Sequence, residues 1–190
     1  MRSLTAVDAA EGMIEVLTAK LAPGGPYESV KNVRPVAYLL EDPEDEILGV
    51  DPVTGERWKE GNGKFDLVIS HLVLHHVADL PALFRTIFGT LKQGQKENGE
   101  NGGRVITTDF ENFGEGARRF HPENKMEGVE RHGITQKEME EILKGAGFEE
   151  VNVERAFVLA KRVESEPGKG DMETGPVMEF PFLVCEGRRV

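Results

Sequence analysis

Cysteine is almost missing from this sequence: Cys185 is the only one in 190 residues. That excludes an internal disulfide and a thiolate metal cage, and it fits the reducing conditions of a cytoplasmic protein. No apolar run approaches the roughly 20 residues that span a bilayer, and the apolar stretch after residues 1–3 is too short for a secretory signal. Positive charge is scarce too: 23 Lys and Arg stand against 34 Asp and Glu, a formal net charge of -11. A negative field repels nucleic acid and anionic lipid, so neither is an expected partner. The basic pairs Arg118, Arg119 and Arg188, Arg189 are too short to form a binding stripe. Aromatic residues make up 7%, yet 38% of the chain is hydrophobic. That is enough to build a core, and the length suits a single domain over 1–190.

The apolar residues fall into short alternating runs. Residues 4–7 read as a strand that stops at Asp8, and Met13, Ile14, Leu17 and Leu21 then lie on one helical face. The turn Pro23, Gly24, Gly25, Pro26 ends that helix. A second strand is expected over 33–40, running into the acidic cluster Glu41, Asp42, Glu44, Asp45. After a turn-rich stretch over 49–64, residues 65–70 form a nearly continuous apolar run, as in a strand buried on both faces of a parallel sheet. Asp79 is placed to cap a helix in which Leu80, Leu83, Phe84, Ile87, Phe88 and Leu91 recur at helical spacing. Residues 92–103 are polar and glycine-rich and read as a flexible loop insertion. A strand over 104–109 leads into a long irregular segment, 110–133, of a length that often marks a binding loop. Thr135 and Glu138 form a capping box, Met139, Ile142, Leu143 and Ala146 mark the helix it opens, and Gly147 is the expected C-cap. Strands over 151–158 and 182–186 follow, with a loop over 164–176 between them. Pro181 is expected at the start of the last strand, because proline cannot donate a ladder bond. Strands alternating with helices, then two strands with no helix between, predict an α/β sheet with an antiparallel end.

The order of short motifs carries a resemblance. Asp8 to Met13 reads DAAEGM, residues 65–70 read FDLVIS, and residues 75–79 read HHVAD. Leu91 to Gly94 reads LKQG, Gly102 and Gly103 open GGRVI, and Ala146, Gly147, Phe148 begin the closing pattern. Together, over almost the whole chain, these resemble the class I S-adenosylmethionine-dependent methyltransferases that act on small molecules, of the type 11 and type 25 kind. The resemblance implies a Rossmann-like sheet with helices on both faces and an antiparallel last strand. It also implies S-adenosyl-L-methionine as cofactor and methyl transfer to a small-molecule acceptor. The family's first strand and its glycine-rich loop have no counterpart here; Gly24 and Gly25 follow a helix rather than open one. The chain is therefore expected to be N-terminally incomplete, or a degenerate homologue, with two strand edges unpaired. Each buried unpaired group costs about 1–3 kcal/mol against a net stability of about 5–15 kcal/mol. A re-paired sheet, a strand borrowed from a partner such as a second copy in a homodimer, or poor folding is the expected response.

The resemblance also implies a site. Asp8, ending its strand with Ala9 beside it, matches the acidic residue that holds the ribose hydroxyls; read from the residue alone, it is equally a helix cap. Met13 lines the adenine pocket or is plain core. Glu41 or Asp42 meets the adenine amino group, or belongs to a solvated acidic run. Ser70, His71 and Leu72 follow a strand at the carboxyl edge where α/β sheets bind ligands, and would face the methionyl part of the cofactor. His76, His121 and His132 are the candidate catalytic residues, since imidazole titrates near neutrality; loop-fixing hydrogen bonds are the structural alternative. The pair His75, His76 invites a metal reading, with His121, His132 and Asp109 as further ligands. Adjacent histidines rarely hold one ion together, and no HExxH pattern is present, so no metal is expected.

Two other classes compete. A non-catalytic remnant or oligomerisation partner with the same fold would bind neither cofactor nor product. A nucleotide-dependent dehydrogenase has a similar sheet but needs a GxGxxG turn, which this sequence lacks.

Overall fold

In a computed structural model the described residues are 3–51, 54–56, 64–95, 101–169 and 173–190. The chain divides into two compact units, Met1–Phe65 and Asp66–Val190.

In the first unit, strand β1 (Leu4–Asp8), helix α1 (Glu11–Leu21) and strand β2 (Val33–Ala37) follow one another. The strands pair in parallel from Leu4 opposite Val33 to Asp8 opposite Ala37. Parallel neighbours need a crossover, and α1 provides it. Ile14, Leu17 and Leu21 are half-buried, as the helical spacing predicts, but Met13 is 59% exposed and is not core. The strand expected over 33–40 stops at Ala37. The reason is the partner: β1 ends at Asp8, whose carbonyl accepts the Tyr38 amide at 2.9 Å, and no ladder remains beyond it. Gly24 and Gly25 follow α1 and open no helix.

In the second unit the strands are β3 (Leu67–His71), β4 (Arg104–Phe110), β5 (Glu149–Arg162) and β6 (Val177–Arg188), and they form one sheet in the order β3-β4-β6-β5. β3 and β4 are parallel, while β6 runs antiparallel to both β4 and β5. This is the mixed α/β sheet with an antiparallel end that the motif order predicts. Helix α2 (Leu80–Thr90) opens where expected, with Asp79 Oδ1 accepting the Ala82 amide at 2.8 Å. Its Leu80, Phe84 and Ile87 are buried together with Leu91; full burial of a side chain of this size contributes about 1.5–3 kcal/mol. Helix α3 (Gln136–Gly145) is capped by Thr135, whose hydroxyl accepts the Glu138 amide at 3.2 Å. At its far end the Phe148 amide reaches the Leu143 carbonyl and the Gly147 amide reaches Lys144, both at 3.1 Å. That double closure needs a left-handed residue, which Gly147 supplies with φ +100°. The cap residue itself is Ala146, one before the expected glycine. Phe148 then packs edge-on against Phe88 with ring centroids 5.1 Å apart.

The last two strands are longer than the sequence suggests. Their ladder runs on to Arg162 opposite Val177, past the end of β4. Pro181 consequently lies inside β6, not at its start. Its carbonyl accepts the Glu111 amide at 2.8 Å. A residue's N–H and C=O leave a strand on the same side, so the donor that proline lacks faces the side where the β4 ladder has ended at Phe110, and no bond to β5 is lost. β4 alternates: Val105, Thr107 and Asp109 are buried, while Arg104, Ile106 and Thr108 are half-buried. Phe110 joins Ala117, Phe120, Val163, Phe180 and Phe182 in an aromatic cluster at the carboxyl end of β4. β3 is an edge strand of this sheet, with Ile69 66% exposed.

The glycine-rich insertion over 92–103 is described only at its ends, and 96–100 lie outside the described residues, as do parts of the expected 49–64 and 164–176 turns. The two ends are tied together: the Gly103 amide donates to Lys92 at 2.8 Å and the Arg189 amide to Gly103 at 2.9 Å.

Candidate active site

β3 and β4 share a carboxyl edge, because they run parallel with His71 opposite Thr108. The segments that leave this edge build the site. After β3, Leu72 turns the chain in the left-handed region at φ +55°. A 3₁₀ turn, Leu74–His76, then delivers two histidines. Asp109 sits near the end of β4, and His121 caps a second 3₁₀ turn, Glu115–Phe120, in the irregular segment.

His75 and Asp109 form a buried pair. His75 Nδ1 lies 2.9 Å from both Asp109 oxygens, and each side chain is at most 3% exposed. The same carboxylate accepts the His75 amide at 3.1 Å and the Phe110 amide at 2.8 Å. A buried carboxylate is thus surrounded by donors, as its desolvation demands. The His75 carbonyl is held as well, by the Glu130 and Arg131 amides at 3.0 and 3.2 Å. The Arg131 guanidinium bonds the Val77 and Ala78 carbonyls at 2.7 and 2.8 Å, locking the 126–132 segment onto the turn. With Nδ1 committed, His75 Nε2 is buried and has no partner among the described residues.

His76 is exposed, and its Nδ1 lies 2.7 Å from the Gly128 carbonyl. A carbonyl only accepts, so Nδ1 carries the proton and Nε2 keeps its lone pair. His121 completes the group: its ring centroid is 4.9 Å from that of His75 and 5.9 Å from that of His76, and it rests on Phe120 at 5.0 Å. Burial, with the neighbouring His75, Lys161 and His76, lowers its pKa to about 4, against a smaller opposing pull from Asp109. The ring is therefore uncharged at neutral pH. His121 also lines a cleft of about 350 Å³ with Arg118, Arg119, Glu164 and Met178. Lys161, whose Nζ bonds the Phe120 carbonyl and lies 4.0 Å from the Phe120 ring centre, is itself lowered in pKa, first by burial and then by Lys125.

Of the three catalytic histidines that the sequence suggests, the structure brings His76 and His121 together. His132 makes no ring contact with them, and its Nδ1 is buried without a partner among the described residues. The central members of the group, His75 and Asp109, were not among those candidates. They are 34 positions apart in sequence, and no local pattern marks two such residues as a pair.

The cofactor candidates fall in both units. In the first, Asp8 ends β1 at its carboxyl edge, and Glu41 and Asp42 follow the carboxyl end of β2. Asp8 Oδ1 accepts the Ala10 amide at 2.8 Å, so the helix-cap role expected as the alternative is partly realised, while Oδ2 has no partner among the described residues. Ala9 and Met13 are exposed beside it. Asp42 Oδ1 accepts the Glu44 amide at 2.8 Å, and Glu41 is exposed. In the second unit, Ser70 and His71 end β3, His71 Nδ1 lies 2.5 Å from Thr108 Oγ1, and the Leu72 amide donates to the Thr108 carbonyl at 2.9 Å. A strand-end carboxylate with one oxygen left for a ligand suits a pair of ribose hydroxyls, so the donor set of the first unit fits that part of an adenosyl group.

Residues 3–153 match a family model described as a methyltransferase domain. Among solved structures, the chain is similar to the YcgJ protein of Bacillus subtilis, with 14% identity over 99% of this chain and 82% of that one and a TM-score of 0.61. It is also similar to an S-adenosylmethionine-dependent methyltransferase of Thermotoga maritima, with 17% identity over 98% and 72% and a TM-score of 0.53. A third likeness is to the Haemonchus contortus phosphoethanolamine N-methyltransferase 2 in complex with S-adenosyl-L-methionine, with 15% identity over 97% and 43% and a TM-score of 0.59. No curated protein matches the chain. It belongs to the methyltransferase-domain family whose model it matches, and its fold is similar to that of S-adenosylmethionine-dependent methyltransferases. Among the described residues, no helix is long and apolar enough to cross a membrane.

Proposed function

We propose that this chain transfers a methyl group from S-adenosyl-L-methionine to a small-molecule acceptor that sits beside His76 and His121. The observation that carries the acceptor side is the cleft beside His121, lined by its imidazole, by Arg118 and Arg119 and by the carboxylates of Glu115, Glu123 and Glu164. When bound, the cofactor supplies an activated methyl group on a sulfonium centre. The residues that would hold it are Asp8, through its free oxygen on the ribose hydroxyls, with Ala9 and Met13 beside it and Glu41 or Asp42 toward the adenine amino group.

The remaining work is positioning and a proton. His121 is too weak a base to keep a proton at neutral pH, so it acts as a hydrogen-bond acceptor that orients an N–H or O–H of the acceptor. His76 has its Nδ1–H fixed on Gly128 and its Nε2 free, and it is exposed, so it takes the acceptor's proton and passes it to solvent. Asp109 and His75 hold the turn that carries His76.

The test is calorimetric titration of the purified chain with S-adenosylhomocysteine, followed by turnover on a panel of small amines, thiols and hydroxyl compounds. Binding by the wild type, weakened at least tenfold in a folded Asp8→Ala, supports the cofactor side. His76→Asn should then lower kcat by about 100-fold or more, while His121→Asn should mainly raise KM. A folded wild type that binds no S-adenosylhomocysteine overturns the reading in favour of a fold that no longer transfers methyl groups.

A further inference from the structure

The same three rings have a second property. One ring nitrogen each of His75, His76 and His121 lies within 4.8 Å of the other two. We propose that these three imidazoles form a binding site for a divalent transition-metal ion, zinc in the first instance. The geometry of the cluster supports such a site whether or not the chain transfers methyl groups.

Three observations carry it. First, the nitrogens are free in the right way. Nδ1 of His75 is committed to Asp109 and Nδ1 of His76 to Gly128, so each ring offers Nε2. Ligating histidines characteristically donate their other nitrogen to a carboxylate or a backbone carbonyl, which fixes the tautomer, and both kinds of partner are present here. Second, His75 Nε2 is an orphan. It belongs to a residue 2% exposed and has no hydrogen-bond partner among the described residues. A buried polar atom left unpaired costs about 1–3 kcal/mol, and a ligand on its lone pair removes that cost. Third, the objection to adjacent histidines does not hold in this backbone. In an extended strand, neighbouring side chains point to opposite faces. His75 and His76 sit on a 3₁₀ turn, where successive side chains are about 120° apart, and their ring centroids are only 4.1 Å apart.

The donor set selects the ion. Three imidazoles, with no thiolate or carboxylate ligand, suit zinc and its neighbours rather than magnesium or calcium. Three protein ligands leave a fourth position for solvent, the pattern of an open site. Zinc–nitrogen bonds of about 2.0–2.1 Å put tetrahedral nitrogens about 3.4 Å apart, so the rings must close by roughly an ångström. His76 and His121 are the members with room to move, since His75 is pinned by Asp109. With the ion bound, the lone pairs of His76 and His121 are occupied, so the proton and hydrogen-bond roles given to them above belong to the metal-free protein.

The experiment uses the full chain, stripped with chelator and titrated with zinc alone by calorimetry, then loaded with cobalt(II) for its visible absorption. One ion per chain is expected, with cobalt bands of tetrahedral intensity. His76→Asn and His121→Asn should each weaken zinc by roughly tenfold or more with an unchanged circular dichroism spectrum. His132→Asn should leave zinc affinity as it was, because that ring stands outside the trio. These two test positions avoid His75, whose substitution disturbs a buried pair. Absence of saturable zinc binding, or an equal loss in His132→Asn and His121→Asn, overturns the proposal.

Discussion

Replacing Asp109 with alanine probes the centre of the second unit. The carboxylate accepts from three donors: His75 Nδ1 at 2.9 Å, the His75 amide at 3.1 Å and the Phe110 amide at 2.8 Å. Alanine removes the acceptor and leaves all three donors without it in a region sealed from solvent. Each orphan costs about 1–3 kcal/mol if nothing relaxes. Water entry along His76 and partial collapse hold the sum of the three near its lower end. We therefore expect Asp109→Ala to lose about 3–5 kcal/mol. With a urea slope of about 1–3 kcal/mol/M, the midpoint should fall by roughly 2 M, read by far-ultraviolet circular dichroism. The paired apolar replacement His75→Phe with Asp109→Leu removes donor and acceptor together, and should recover much of the loss. A loss below about 1 kcal/mol for Asp109→Ala would refute the claim that this pair is a buried, water-free network.

Other outcomes rest on single features. Asp79→Ala removes the acceptor for the Ala82 amide at the start of α2 and should cost about 0.5–2 kcal/mol, measured by the same urea titration. Gly102→Ala would place a Cβ 1.5 Å from the Arg189 carbonyl oxygen. The strand ends must separate, so a loss of about 1–3 kcal/mol is expected, with faster hydrogen exchange at the Arg189 amide. Burial of Cys185 pushes its thiol up to about 12, against a small lowering by Thr107. The folded protein should therefore resist iodoacetamide at pH 8 and be labelled only in denaturant; rapid native labelling would show that β6 opens readily.

Much of the architecture was readable from local chemistry. Asp79, Thr135 and the apolar spacing of α2 and α3 announce those helices, because capping and amphipathic burial act over a few residues. The motif order from Asp8 to Phe148 indicated the family, since short signals in a fixed sequence constrain one another. The lengths of β2, β5 and β6 were not readable, because a strand ends where its partner ends: β2 stops with Asp8, and β6 begins at Val177 because β5 reaches Arg162. Pro181 was misplaced for the same reason, since which side of the strand its missing donor faces depends on where β4 stops.

The candidate residues divide along the same line. The strand-end positions of Asp8 and Ser70 were readable from sequence, because each closes a run whose direction fixes which edge it occupies. His76 and His121 were recognisable as chemistry without an address. Only the tertiary structure set His121 beside His75 and His76, separated His132 from them, and assigned Asp109 to His75. The physical reason is distance along the chain. A cap or a helical face is decided by neighbours within a turn, whereas an imidazole's partner, tautomer and basicity are decided by whatever the folded chain packs against it.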